Sequence, residues 1–223
     1  MMRAWIRAAL SRRQLVAAGS AMAASVSLGD TLAHAAGAET RFDFTAPLDG
    51  WQTVTGAWGV EEVPGSSRND KALVQRATDN AFNVIIAPGG PYRDVDVAVR
   101  FKPISGREDA SGGIVFRFAD GHYYVIRANA LEDNFNFYYY EPNSMLAAVI
   151  GGRHYITGVK VKAPALGIWH KLRITAEGGH IRGWLNDQLL IDHRDDRFAA
   201  GQVGLWTKAD SVTAFDDLVV RTL

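Results

Sequence analysis

From residue 41 onward, apolar side chains recur at every second position, and this period constrains the fold more than any other feature of the chain. The alternation is clear at residues 95–101, 114–118 and 172–176. A period of two places successive side chains on opposite faces of a β-strand, so each segment is predicted to be a strand with one buried face. No segment after residue 36 sustains a helical stripe over three turns. The pattern therefore favours an all-β fold.

Turn signals separate the predicted strands at intervals of roughly ten residues. Two hairpins follow from these signals: strands at 113–118 and 122–129 joined by Asp120-Gly121, and strands at 171–176 and 181–185 joined by Gly178-Gly179. Short strands without intervening helices predict an antiparallel β-sandwich. No linker or shift in composition divides residues 36–223, so we expect them to form one domain.

The composition excludes several functional classes. Among the 223 residues, 24 Lys and Arg balance 24 Asp and Glu, so the chain lacks the basic surface that duplex nucleic acid usually requires, and no nucleic-acid partner is expected. The absence of cysteine excludes disulfides, thiolate zinc sites and cysteine nucleophiles. The histidines after residue 36 lack metal-ligand spacing, and no P-loop or G-x-S-x-G motif is present.

Residues 1–35 have the three-part layout of an export signal. Basic residues including Arg12 and Arg13 precede an uncharged apolar run, and an A-x-A cleavage pattern ends at Ala35. The segment at 11–16 (SRRQLV) is similar to a twin-arginine signal. We therefore expect a periplasmic or secreted protein. The alternatives are a buried amphipathic helix and a signal for the general export route that contains two arginines.

The apolar run at 15–28 is too short to span a bilayer as a stable helix. The mature chain is therefore expected to contain no transmembrane segment. Cleavage after Ala35 would leave the predicted sandwich at 36–223 as the mature protein.

Motifs in the second half of the chain carry a resemblance to a known superfamily. They are WHKLRI at 169–174, GQVGLWT at 201–207 and FDDLVV at 215–220. The series resembles the concanavalin A-like lectin/glucanase superfamily, which contains laminin-G-like modules, family 16 glycoside hydrolases and 3-keto-disaccharide hydrolase domains. GGIVFR at 112–117 and YYVIRAN at 123–129 resemble exported bacterial proteins described as family-16-like or 3-keto-disaccharide hydrolase-like. The resemblance implies a jelly roll whose last strand lies beside its first, at 42–44, and this fold hosts both binders and enzymes.

Side chains alternate between the two faces of each predicted strand. If four of these strands are neighbours, their outward side chains form one polar and aromatic sheet face. Its predicted ligand-binding residues are Arg117, Tyr123, Arg127, Asn129, Asn136, Tyr138, Trp206 and Lys208. Aromatic rings stack on the C–H-rich faces of sugars, and amides and guanidinium groups bond to hydroxyls, so this composition indicates a carbohydrate partner. The alternative is an ordinary solvated face on which tyrosine and arginine pack across strands.

The sequence leaves open whether any bond is cleaved. Retaining glycosidases need two carboxylates close together, and the E-x-D-x-x-E motif of family 16 is absent. Resemblance to 3-keto-disaccharide hydrolases implies elimination from a sugar with an oxidised 3-hydroxyl, which makes the C2 hydrogen acidic and requires a base. The weak candidates for that base are Asp210, Glu132 and Asp133.

No cofactor is required by these hypotheses, although the superfamily resemblance implies that a structural calcium is possible. Its weak candidate ligands are Asp43 near the first strand and Asp216 on the last, because the two strands are expected to pair. Calcium takes six to eight oxygen ligands, of which this pair supplies only a part. The alternative is that these aspartates cap a sheet edge.

Three functional hypotheses therefore remain. The first is a carbohydrate-binding module that uses the polar and aromatic face. The second is a glycoside-cleaving enzyme similar to the 3-keto-disaccharide hydrolases. The third is a structural or protein-binding module of the cell envelope.

Overall fold

A computed structural model describes residues 37–142 and 152–223, and the predicted export signal at 1–35 lies outside them. These residues form one compact unit with fifteen strands. The strands are β1 Glu39–Phe42, β2 Gln52–Thr55, β3 Trp58–Glu62, β4 Lys71–Gln75, β5 Phe82–Ile86, β6 Val95–Ser105, β7 Ser111–Ala119, β8 His122–Asn129, β9 Asn134–Tyr140, β10 Arg153–Lys160, β11 His170–Glu177, β12 His180–Leu185, β13 Gln188–Arg194, β14 Gln202–Lys208 and β15 Val212–Thr222. No helix within 37–142 or 152–223 combines the length and the apolar character that a membrane crossing requires.

The strands form two antiparallel sheets. Sheet A has the order β13-β12-β11-β6-β15-β4-β3, with β1 beside the second half of β15, and sheet B has the order β10-β9-β8-β7-β14-β5-β2. Both predicted hairpins are confirmed, as β7–β8 in sheet B and β11–β12 in sheet A. The expected pairing of first and last strands is confirmed by the register of Phe42 with Leu218. The β-sandwich prediction is therefore correct.

The core lies between the inner faces of the two sheets. Because alternate side chains of each strand point into this core, apolar residues recur at every second position. Val97, Val99 and Phe101 of β6 face Ile114 and Phe116 of β7 across this space, and all five are buried. Burial of a large apolar side chain contributes about 1.5–3 kcal/mol relative to exposure. The residues that alternate with this core set are directed outward, and on sheet B they form the surface described next.

Candidate functional site

One row of side chains crosses the outer face of sheet B. Neighbouring strands place Trp206 opposite Gly113, Gly113 opposite Arg127, and Arg127 opposite Asn136. Gly113 keeps the row close together, because a Cβ there would lie 3.0 Å from the Cβ of Arg127. The structure thus brings three residues of the predicted site into one line across β14, β7, β8 and β9.

Aromatic rings extend this row toward the β7–β8 turn. Trp206 stacks on Phe82 with ring centroids 5.6 Å apart, and Tyr123 stacks on Tyr140 at 4.8 Å. The guanidinium of Arg153 lies over these rings, 4.5 Å from the Tyr138 centroid, 5.2 Å from Phe82 and 5.9 Å from Trp206. Burial raises the pKa of Tyr123, so its phenol stays protonated and serves as a neutral hydroxyl.

Arg127 lies at the centre of the face and is only 3% exposed. Its Nη2 donates to the Glu132 carboxylate at 2.8 Å and to the Tyr138 hydroxyl at 3.4 Å. Its Nε and Nη1 are buried and lack a hydrogen-bond partner within the described part of the chain. A buried cation with unpaired donors is costly, so an acceptor supplied by a ligand would be favourable here.

A chain of polar side chains on β9 continues from Arg127 to the edge of the face. Asn134 donates to Glu132 at 3.0 Å, and Asn136 donates to the Asn134 side chain at 3.1 Å and to the Tyr138 hydroxyl at 2.9 Å. Gly158 on β10 leaves room for Asn136, since a Cβ there would lie 2.0 Å from the Asn136 Oδ1. Amides and hydroxyls held in this way can exchange hydrogen bonds with sugar hydroxyls.

Glu132 is an ionised carboxylate within this chain of hydrogen-bonded side chains. Burial alone would raise its pKa, but hydrogen bonds from Arg127 and Asn134 outweigh burial and lower the pKa to about 2. The carboxylate is therefore ionised at neutral pH and is a weak base there. Its arrangement suits hydrogen-bond acceptance better than proton removal, for which a pKa near the working pH is preferred.

Lys208 and Asn129 lie at the end of the face beside the β6–β7 loop. Lys208 donates to the buried Asp109 at 3.0 Å. The side-chain oxygen of Asn129 accepts from the backbone N–H groups of Ala110 and Leu131, both at 3.0 Å. Asn129 therefore fixes the neighbouring backbone, whereas Lys208 keeps its ammonium partly exposed at the rim.

Two of the predicted catalytic candidates, Asp210 and Asp133, have side chains that make no hydrogen bond or ion pair with the polar chain within the described residues. Asp210 accepts backbone N–H bonds from Arg107 at 2.7 Å, Glu108 at 3.0 Å and Asp109 at 2.9 Å. The hydrogen bond from Arg107 is the largest cause that lowers the pKa of Asp210. Asp133 is exposed, and its backbone carbonyl accepts from Val161. Asp210 therefore organises a loop, and only Glu132 among the three candidates lies in the polar chain.

The prediction that Arg117 shares this face is corrected by a β-bulge. The register of β7 with β8 shifts between Phe116 and Ala119, and Arg117 takes a left-handed φ of 53°. Its guanidinium donates to the backbone carbonyls of Phe198 at 2.7 Å and Arg93 at 3.1 Å, and also to that of Gly178. Arg117 is therefore buried at one end of the sandwich, away from Arg127.

The proposed calcium ligands are engaged by protein groups. Asp216 is buried and accepts hydrogen bonds from Ser67 and from Arg100, the latter at 2.8 Å. Asp43 accepts from Thr45 at 2.7 Å and lies 3.7 Å from Arg68. Across the described ranges, no group of three or more His, Asp or Glu side chains is arranged to hold a metal ion. Arg100 thus supplies a cation beside Asp216, and Arg68 supplies one beside Asp43.

Three residues of the face were not singled out by sequence reasoning. They are Phe82 on β5 and Arg153 and Tyr155 on β10. Arg153 and Tyr155 are two positions apart, so they share one face of a strand. This alternation was the available signal in the sequence. Nothing in the sequence places β10 beside β9, however, and that pairing is what brings Arg153 over Tyr138.

The two-sheet topology is that of a concanavalin A-like jelly roll, the fold also found in solved structures of a carbohydrate-binding module and a glucanase. The chain belongs to the family described as the 3-keto-alpha-glucoside-1,2-lyase-like domain, whose sequence model matches residues 37–221. The resemblance inferred from its motifs is therefore correct.

Individual relatives agree with this assignment. A levanase of Bacillus subtilis (strain 168) is 26% identical over 166 residues, which cover 73% of this chain and 21% of the levanase. The chain thus corresponds to about a fifth of that relative. Among solved structures, the carbohydrate-binding module CBM66 from Bacillus subtilis has a TM-score of 0.63 and 22% identity, covering 78% of this chain and 96% of its own. A Bacillus licheniformis beta-glucanase has a TM-score of 0.57 and 14% identity, covering 84% and 99%. These structural similarities establish the fold.

Proposed function

We propose that this protein binds carbohydrate on the outer face of sheet B. The observation that carries the proposal is Arg127, a buried guanidinium with two unpaired donor nitrogens, set among stacked aromatic rings and side-chain amides. An ordinary solvated face would hydrate such a charge. The carbohydrate-binding module among the similar structures supports the same conclusion.

The rim of the face supplies the contacts that a sugar needs. Tyr155 is 60% exposed and makes an edge contact with Tyr138 at 5.6 Å, so its ring is available for stacking. Asn134, Asn136 and Lys208 are partly exposed and carry hydrogen-bonding groups. Stacking and directed hydrogen bonds together provide the affinity and the orientation of the sugar.

We further propose that binding takes place after export, because residues 1–35 have the layout of a twin-arginine signal. The protein would then meet its ligand in the periplasm or outside the cell. Fractionation of cells that express the full chain tests this location, and retention in the cytoplasm contradicts it.

Glycan-array screening followed by calorimetry tests the binding proposal. Tyr155→Ala is expected to reduce affinity roughly threefold to tenfold, as the loss of one aromatic contact implies. Trp184→Ala is the matched control, because Trp184 packs with Arg173 on sheet A. Wild-type protein that binds no glycan, or equal losses in both variants, would contradict the proposal.

A second candidate function, cleavage of 3-keto-glycosides, is favoured by the family match. Removal of the C2 proton by a base and departure of the C1 substituent would leave a C1–C2 double bond conjugated with the C3 ketone. Glu132 is the only one of the three predicted bases in the polar chain, and its low pKa disfavours this role at neutral pH. Release of the C1 substituent from a 3-keto-glucoside by wild-type protein, and its loss in Glu132→Gln, would establish cleavage in place of binding alone.

A further inference from the structure

Arg153 differs from the other cations of the face because no described carboxylate lies within ion-pair distance of it, although the charge of Asp109 acts on it from farther away. Arg127 pairs with Glu132, and Lys208 pairs with Asp109. Arg153 forms no ion pair with any residue of 37–142 or 152–223. The segment at 143–151 that precedes it contains neither Asp nor Glu. One positive charge of the face therefore has no ion-pair partner within residues 37–142 and 152–223.

The surroundings of Arg153 make this charge unfavourable. Its Nη1 is buried without a hydrogen-bond partner within the described residues, and its guanidinium lies over the rings of Tyr138, Phe82 and Trp206. Arg127 lies over the same Tyr138 ring at 5.8 Å, so the two cations are close neighbours. Burial is the main cause that lowers the pKa of Arg153, and the positive charge of Arg127 adds to it.

The charged groups around Arg127 and Arg153 that are joined by ion pairs or ring contacts sum to plus one, and the exposed Lys160 lies farther out, opposite Asn134. Arg127, Arg153 and Lys208 contribute three positive charges, and Glu132 and Asp109 contribute two negative ones. A neutral sugar would leave this excess in place. A ligand with a single negative charge would remove it, and guanidinium groups form strong, charge-assisted hydrogen bonds with carboxylates.

We propose, building on the carbohydrate-binding function above, that the ligand is a monoanionic sugar whose acidic group lies beside Arg153. The uronic acids carry such a group as a C6 carboxylate, and sulfated sugars carry one as a sulfate monoester. Asn134 and Asn136 then form hydrogen bonds with the sugar hydroxyls, while the unpaired Nε and Nη1 of Arg127 supply further donors below the sugar. The acid provides the charge that the protein lacks.

Calorimetry with matched sugars tests this specificity. Oligosaccharides of the gluco, galacto and manno series would be compared in neutral, uronic-acid and 6-sulfated forms. Within the series that binds, a charged form is expected to bind roughly tenfold to hundredfold tighter than the neutral form, and the preference should weaken as salt is added. The uronate and sulfate arms show which acid is preferred.

Variants separate the charge from the fold. Arg153→Gln is expected to bind the charged form no more tightly than the neutral form, and Arg153→Lys should retain part of the preference for the charged form. Arg182→Gln is the matched control, because Arg182 pairs with Glu177 on sheet A. Equal or tighter binding of the neutral sugar by wild-type protein would overturn the monoanion proposal alone. Absence of binding to any sugar would instead overturn the proposed function on which it rests.

Discussion

Two buried arginines of sheet B, only ten positions apart, have opposite surroundings. Arg117 on β7 directs both terminal nitrogens to backbone carbonyls from three separate segments, around residues 93, 178 and 198. Arg127 on β8 has two acceptors, both side chains within five to eleven positions along the chain, and leaves Nη1 and Nε unpaired.

The difference separates a charge that joins distant backbone segments from one whose donors remain available to the proposed ligand. A guanidinium that joins three backbone segments fixes the end of the sandwich, and both of its terminal nitrogens are used in doing so, while its buried Nε has no partner among the described residues. A guanidinium that is held by its own sheet, with donors to spare, keeps hydrogen-bonding capacity for another molecule. The kind of acceptor that a buried polar group has found therefore indicates its role in this protein.

The largest expected effect contrasts these two residues directly. Arg117→Met should lower the free energy of unfolding by about 3 kcal/mol, since three carbonyls lose their donor. Arg127→Met should change it by no more than about 1 kcal/mol, because its partner Glu132 is 37% exposed and can be hydrated. Sugar affinity should follow the reverse order, with loss in Arg127→Met only. Urea unfolding measures the free energy of unfolding, and calorimetry measures sugar affinity. Equal losses of stability in Arg117→Met and Arg127→Met would contradict the difference between the two arginines.

An intermediate effect concerns the pH dependence of the Arg127–Glu132 pair. The pKa of Glu132 is about 2 in the folded state and 4.5 as its ordinary value, so its stabilising contribution is complete above pH 4.5 and is lost as pH falls toward 2. Partial exposure reduces the contribution to about 1 kcal/mol. Glu132→Gln should remove this part of the acid sensitivity in urea unfolding at several pH values. Glu177→Gln, in the surface pair with Arg182, should preserve the wild-type profile.

The smallest expected effect concerns Asp210, an anion to which the contrast between backbone-bonded and side-chain-bonded charges also applies. Asp210 resembles Arg117 in that its partners are backbone groups, the N–H donors at 107–109. Asp210→Asn should therefore cost about 0.5–1 kcal/mol of stability and leave sugar affinity and any 3-keto-glycoside turnover unchanged. Thermal unfolding with the binding assay provides the measurement. A selective loss of turnover would instead return Asp210 to the role of base.

Alternation of apolar residues was sufficient to predict most of the fold. Residues 95–101 and 114–118 show the period because their strands have one face in the core, and the hairpin turns carry their own signals at Asp120-Gly121 and Gly178-Gly179. Tyr123, Arg127, Asn136, Tyr138 and Trp206 were placed correctly on one side of sheet B for the same reason.

What the sequence did not predict depends on interruptions and on distant pairing. One bulged position reverses Arg117, because an extra residue in a strand turns the following side chains to the other face. The loop-organising contacts of Asp210 were not foreseen because its partners lie about a hundred positions earlier in the chain. Arg153 was missed because its position over Tyr138 depends on the pairing of β10 with β9, which the sequence does not predict.

The pairing of β1 with β15 has a practical consequence. Glu39 lies opposite Arg221, so the described chain starts and finishes on adjacent strands of the layer that does not carry the Arg127 surface. An immobilisation tag, a fluorescent reporter or a second module joined directly next to Glu39 or Arg221 would thus be connected through sheet A. Surface-based affinity instruments can therefore hold the protein at these two strands and still present its other layer to a polysaccharide in solution.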